Sequence, residues 1–544
     1  MMHRHTRVQT PAGTAAGTHS LGRWALPLAI SALAAGLAGC SEEQPPTSGR
    51  SFMDPVAFEE RLLFVDRTND EAHILHVGRR TLASETTRVE LPAGPTHVVR
   101  RNGDHNQVLI LSEGVLGSSE STSEPGALSV LNGNGRLKTF EFGSPFDTLT
   151  QSDDGRYVVL LRTGSTDRLL GNNSQIAVID LEADDDDAVT TKDLKNLGAT
   201  PRQVIFSPAM EIAGETRRIA VILADRDLAL LDLSHPDREE TAVSLSSDLN
   251  RNLTPRQVLF DPTEARLFVL ASGSNDIFVV RLYGPIDNPG GNDFRPNLDL
   301  LGAGRRPEHM TLYQQDGQVL LLVAAPGSSE AVIVDVDSSR STAVPVPFSP
   351  RRSLVFRLET GDEDEAPPPV ALMWSPSESN RLLFIDLDKI EARGDRNVEV
   401  SSNLMGSVGE VLSLPEEDRL VVTHPDGEGL SLLDLETRTV TPLSSNQSLS
   451  SAVFDIEERR VWVAPGGQKS IAYLDLNTGA AEQVLLDAAV EHFLPVFAAD
   501  RVAIVHPSGA GYVTVVDADN PTRETAQSVH GFFHADLIDQ EAGD

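Results

Sequence analysis

The sequence predicts an all-β chain, a β-propeller of about ten four-stranded repeats, and three observations carry that expectation. Beyond residue 55 no helical period is sustained, and short apolar runs bounded by Gly, Pro and Asp take its place. One such run, usually ending in Asp, returns about every 41 to 54 residues, a period that signals a propeller or an array. A second apolar run precedes each copy, and both are nearly continuous rather than alternating, which sheets covered on both faces require.

The chain opens on a leader. Arg4, Arg7 and Arg23 are its only formal charges, and an apolar stretch of sixteen residues, Trp24 to Gly39, ends in Leu37-Ala38-Gly39-Cys40. That length falls short of a bilayer span, so the pattern fits a cleaved secretory signal over 1–39. The segment resembles the bacterial lipoprotein signal, whose lipobox reads Leu-Ala-Gly-Cys. The resemblance implies cleavage between Gly39 and Cys40 and a thioether from Cys40, the only cysteine, to diacylglycerol. No other cofactor is implied. Removing 1–39 takes away three positive charges and moves the net charge from −35 to −38. A surface this acidic repels phosphate backbones, which sets nucleic acid aside as a partner, and it makes the acyl chains the means of membrane residence.

Residues 40–54 follow as the lipidated cysteine and a flexible tether, because Ser41 to Arg50 is polar, contains Pro45-Pro46 and lacks apolar periodicity. Ten such residues stretch to about 35 Å at most. The repeat body is expected over 55–535, and a polar tail over 536–544.

Within the body, each repeat reads as four pieces. The third piece is IAVIDL at 176–181, LALLDL at 228–233, AVIVDV at 331–336, LSLLDL at 430–435 and IAYLDL at 471–476, with weaker copies at 73–77 and 128–132. The second is RLLFV at 61–65, QVLIL at 107–111, RLFVL at 266–270 and RVAIV at 501–505. The first begins with proline and a polar pair, as in GPTHVV at 94–99, TPRQVIF at 200–206, TPRQVLF at 254–260 and SPRRSLVF at 349–356. Proline at a strand's first residue costs no ladder bond. The fourth is a looser strand such as TRVEL at 87–91. A four-stranded sheet covers its faces only by packing on a neighbour, so the stable object is a ring. One ring of ten and two smaller propellers in tandem both use this count. His530 to Leu537 fits a closing strand for the first repeat, which favours one ring, while PVAFEE at 55–60 fits that repeat's own first strand.

RLFVLASGSNDIFVVRL (266–282) and RRVWVAPGGQKSIAYLDLNTG (459–479) resemble the YVTN-type propeller repeat, within the wider WD40-like and quinoprotein amine dehydrogenase β-like class. The chain lacks the Trp-Asp dipeptide and the Gly-His pair of a standard WD40 array, and its YVTN tetrapeptide is degraded to sequences such as LVVTH.

Two polar features recur. The strand-terminal acids Asp180, Asp232, Asp335, Asp386, Asp434, Asp475 and Asp517 are expected to accept hydrogen bonds from turn amides, a structural role. The second is a column at the start of the first strands: His97, Asp147, Gln203, Gln257, His309, Arg352, Glu410 and His492. Strand alternation is expected to turn these toward a central channel, as a water-lined wall or a pocket for a small polar ligand. They vary in type and come from separate repeats, so no metal site is expected. The acidic loops 184–187 and 362–365 lack the ligand spacing of an EF-hand, and the sequence has no G-x-S-x-G elbow, HExxH or Cys–His pair.

These features point to a lipid-anchored cell-envelope scaffold, non-catalytic, presenting its rim to a protein or glycan partner. Ser41 after the lipidated cysteine resembles lipoproteins passed to an outer membrane, facing the periplasm or the cell surface. The alternative is a channel-based enzyme, because YVTN-like propellers resemble sugar-lactone hydrolases and quinoprotein subunits.

Overall fold

Second and third strands such as Tyr157–Leu161, Ile219–Leu223 and Arg266–Ser272 are apolar at nearly every position and buried on both faces. The computed structural model describes residues 50–533 except 116–123, 144, 164–173, 185–186, 198–199, 247–252, 359–367, 377–379, 391–397, 402–403, 415–417, 426–428, 445–451, 456–458 and 465–466. Among the described residues lie ten four-stranded antiparallel sheets, each contiguous in sequence. They are blades 1 to 10, spanning 56–90, 95–142, 148–193, 203–244, 254–302, 309–345, 352–401, 411–444, 452–485 and 492–530. The chain is a ten-bladed β-propeller.

The apolar cores sit between blades. Nine of them join consecutive blades from 1–2 to 9–10. A tenth packs Leu62, Phe64, Leu75 and Val77 of blade 1 against Val505, Val513 and Val515 of blade 10, with Phe532 and Phe533 beyond its outer strand. Ten junctions for ten blades close one ring and rule out the tandem pair.

The closure differs from the sequence expectation in one respect. Val56–Phe58 supplies the first strand of blade 1, as PVAFEE allowed, and Gln527–His530 is the outer strand of blade 10. Among the described residues no strand is exchanged between the ends; side chains hold the ring shut. Phe52 stacks on Phe533 at 4.1 Å between centroids, Arg50 donates to the Phe533 carbonyl at 2.9 Å, and Gln527 donates to the Arg80 carbonyl at 3.1 Å. Burying aromatic and aliphatic side chains at this junction contributes about 2 kcal/mol each, enough to replace a shared ladder. Residues 50–53 therefore belong to the ring, not to a free tether: Met53 donates its amide to the Val65 carbonyl at 2.9 Å. Gly39, Cys40 and the 536–544 tail lie outside the described residues.

Two elements were not foreseen. A small hairpin, Met210–Ile212 with Glu215–Arg217, is inserted between the first two strands of blade 4. Its turn residues Ala213 and Gly214 both have positive φ (57° and 83°), the geometry of a tight two-residue hairpin. Its Met210 and Ile212 bury against blade 5.

Candidate functional site at the channel rim

First strands of adjacent blades touch one another, and their starts lie together: His309 reaches Ser353 of the next blade, and Gln257 reaches Met310. The sequence reason is local. Pro95, Pro201, Pro255, Pro307 and Pro350 are buried and begin or precede these strands, so each rim loop enters its blade at a fixed point.

Register then sets the level of every column residue. His97 pairs with Leu111, Gln203 with Leu223, Gln257 with Leu270, His309 with Ala324, Arg352 with Trp374 and His492 with Val505, the same step of each blade. Glu410 joins them, its carbonyl accepting the Thr423 amide at 2.9 Å. Asp147 does not. In blade 3 that level is held by Thr148, opposite Leu161, and Asp147 stands one residue earlier. A one-residue offset turns a side chain to the other face. Asp147 accepts the Thr163 amide at 2.8 Å, so it fastens a turn. Blade 1 supplies a member the sequence reading missed. The bond from Met53 to Val65 matches those from Glu308 to Ala324 and Arg202 to Leu223, which places Asp54 at the level. Its carboxylate lies 3.9 Å from His492 Nε2 of blade 10. The blade 9 position falls at residue 451, outside the described residues.

The side chains do not simply line a channel. Sheets stand face to face around the ring, so alternation aims several at the neighbouring blade and leaves the edge of the first strand toward the axis. Gln257 accepts the Met310 amide and donates to its carbonyl, both at 2.9 Å, satisfying edge groups of blade 6 that have no strand beside them. Gln151 does the same between blades 3 and 2, to Asn102 N at 2.7 Å and Arg100 O at 2.8 Å. His309 Nδ1 accepts from Ser353 N at 3.3 Å, which makes it a neutral ring with its proton on Nε2. Burial, helped by the Arg352 charge, pushes its pKa down to about 4. Burial also lowers the pKa of His97, with Asp147 opposing and Arg67 assisting. Gln203 and Glu410 remain exposed.

Behind the rim a second device recurs. The residue after the last inward step of the second strand pins the rim loop. His424 Nδ1 meets the Ser407 carbonyl at 2.9 Å, His506 Nδ1 the Ala489 carbonyl at 2.7 Å and Arg162 Nη2 the Pro145 carbonyl at 2.8 Å; Ser375 binds the Ser349 carbonyl. Because a carbonyl only accepts, both histidines hold the proton on Nδ1, and Nε2 accepts from Ser431 Oγ at 2.7 Å or Thr514 Oγ1 at 2.8 Å. These are hydroxyl–imidazole pairs, yet His424, Ser431, His506 and Thr514 are all at most 4 % exposed. A reactant cannot reach them. They are struts.

The strand-terminal acids lie at the opposite end of the ring and are structural. Asp180 accepts the Glu182 amide at 3.0 Å, Asp335 those of Asp337 and Ser338 at 3.0 Å, Asp434 that of Thr437 at 2.8 Å, Asp475 those of Asn477 and Thr478 at 2.8 and 2.9 Å, and Asp517 that of Asp519 at 3.0 Å. Backbone donors hold the Asp475 carboxyl below the usual carboxylate range. Asp232 accepts from Ser234 at 2.9 Å and also from buried Arg217 at 2.9 Å. Asp386 differs: it precedes a short 3-10 turn without capping it and pairs with Arg438 instead. Among the described residues no three His, Cys, Asp or Glu side chains come together as a metal site. The 362–365 loop and residues 185–186 lie outside the described residues.

No family model and no curated protein matches the chain. Solved structures align with the chain. Dihydro-heme d1 dehydrogenase NirN aligns over 81 % of this chain and 76 % of its own at 12 % identity, with a TM-score of 0.39. A eukaryotic initiation factor aligns over 74 % and 89 % at 9 % identity and 0.40. Apo AztD from Citrobacter koseri aligns over 70 % and 95 % at 11 % identity and 0.33.

Proposed function

We propose that this chain is a non-catalytic binding scaffold of the bacterial cell envelope, held by diacylglycerol on Cys40 and presenting its strand-start rim to a protein or glycan partner. One observation supports the rim as the working face. Nine described positions at one level of a closed ring carry Asp54, His97, Thr148, Gln203, Gln257, His309, Arg352, Glu410 and His492, whereas seven turns at the other end begin with Asp and six of those carboxylates bind turn amides. A fold maintained by repetition has no use for that variety, and a binding surface does. The lipobox supports the anchor, with the outer membrane as the placement. Capture from detergent-solubilised envelopes, using the full lipidated chain as bait, tests the reading. A stoichiometric partner is expected, depleted when exposed Gln203 and Glu410 are both changed to Ala. Recovery of no partner overturns the scaffold. Persistence of a Cys40→Ser chain in the membrane fraction overturns the anchor.

A further inference from the structure

Although the chain carries 80 acidic against 45 basic residues, arginines gather on one arc of the strand-start rim. Arg202, Arg256 and Arg351 each stand one residue before the rim level in blades 4, 5 and 7. Arg352 occupies the level itself, and Arg305 and Arg306 lie in the loop entering blade 6. Four consecutive blades therefore present six guanidinium groups. Two are answered by acids: Arg202 pairs with Asp225, and Arg351 with Glu308 at 3.0 Å. Among the described residues Arg256, Arg305, Arg306 and Arg352 make no ion pair, and the first three are exposed. Arg352 donates to the Arg351 carbonyl at 3.1 Å, whereas the exposed side chains of Arg256, Arg305 and Arg306 have no role that folding accounts for. The loops are already held by buried prolines and by main-chain bonds, such as those that the Arg306 amide makes to Asn275 Oδ1 at 3.0 Å and the Arg351 amide to the Trp374 carbonyl at 2.9 Å. Elsewhere the rim is mostly acidic, with Asp54, Glu113, Asp147, Glu410 and Glu491 in blades 1 to 3, 8 and 10, and Arg67 there is turned to the Thr96 carbonyl at 3.2 Å.

We infer that the arginine arc of blades 4 to 7 binds an acidic polysaccharide, laid along the rim with its charged groups on successive blades. This rests on the scaffold reading and names the class of its ligand. Guanidinium groups match carboxylate and sulfate oxygens in planar, paired fashion. Stacked sheets are about 10 Å apart and draw closer where first strands touch, so the arc extends over at most roughly 30 Å, still too far for one small anion to span and suited to a polymer with a repeating charge. An acidic protein surface is a poorer fit. Specific protein interfaces centre on apolar and aromatic anchors, and among the described residues the large exposed apolar side chains, such as Tyr283, Leu300, Met405 and Leu485, lie outside the loops that carry the arc. Nucleic acid is disfavoured because the acidic surface flanking a four-blade arc repels a long phosphate backbone. At physiological salt the Debye length is about 8 Å, so the arc acts locally while the overall negative charge is screened.

Titration of the full lipidated chain in neutral detergent with heparin, polygalacturonate, uncharged dextran and poly-glutamate tests the assignment. Heparin or polygalacturonate is expected to bind, weakening with salt, and the two arms separate a sulfated from a carboxylated ligand. Binding should fall about tenfold or more in R256Q/R305Q/R306Q/R352Q, with the thermal midpoint unchanged, and stay put in R136Q/R295Q/R340Q, which removes charge elsewhere. Failure of both polysaccharides to bind, an equal loss in the control variant, or tighter binding of poly-glutamate overturns the arc. If the four-arginine variant still captures a stoichiometric envelope partner as the parent does, the arc fails and the scaffold stands. If neither polysaccharide nor partner binds the parent, both fall.

Discussion

At the turn end of the ring, Asp335, Asp434, Asp475 and Asp517 perform one act: a carboxylate accepts amides two and three residues ahead and tightens the hairpin between third and fourth strands. At the strand-start end, equivalent positions hold His97, Thr148, Gln203, Gln257, His309, Arg352 and Glu410, and no two adjacent blades there use the same arrangement of contacts. Gln257 and His309 bind the neighbouring blade, while Gln203 and Glu410 stay open to solvent. Uniform polar residues with all partners inside the fold are framework. Varied ones, partly unpartnered, are surface left free for another molecule. The regularity that made the aspartates conspicuous in the sequence was thus the sign of a structural role.

The contrast breaks most sharply at Arg217. It is buried at the turn end between Asp232, itself inaccessible, and Asp293. Arg217→Ala should cost about 3 to 5 kcal/mol, because it strands a buried carboxylate. Urea unfolding measures this, and a loss under about 1 kcal/mol would mean the turn end is not the framework described here.

His309 sharpens the same contrast from the other end. Its pKa of about 4 in the folded chain lies below the ordinary 6.5. The unfolded chain therefore binds the proton first, and the stability given by the neutral ring, fully present above pH 6.5, is lost as pH falls toward 4. At about 1.4 kcal/mol per unit, the whole window is worth about 3 kcal/mol. A His309→Gln chain should show a shallower decline over that range in urea midpoints. An imidazole NMR titration near 6.5 would remove the effect.

Asp475→Ala is the mildest case. Losing its turn acceptor should cost about 1 kcal/mol in thermal unfolding without altering partner capture. A change in capture at unchanged stability would move the binding face to the turn end.

Much of the fold was legible because a strand covered on both faces must be apolar at nearly every position. That is why LALLDL and RLFVL stood out, and why the half-covered first strands near Glu410 and Ser451 were faint. The hairpin around Ala213-Gly214 was missed because it interrupts a blade with only three residues per strand. The site was legible as a set of starting positions but not as geometry. Counting from proline points to Asp147, and pairing puts Thr148 there instead; Asp54 has no such marker beyond its place before Pro55. TPRQ, written twice, carries a visible signal for the arginine arc one residue before Gln203 and Gln257.

The sequence by itself determined the repeat, the four-strand cassette and the chemistry of the turns, since each depends on contacts within a few residues or on burial common to every copy. Only the tertiary structure decided that ten blades close as one ring, that Phe52 stacks on Phe533 across the closing junction, and which rim side chains meet a neighbour rather than solvent. Those outcomes depend on residues hundreds of positions apart arriving at one junction, and on a register in which a single step reverses the face a side chain presents.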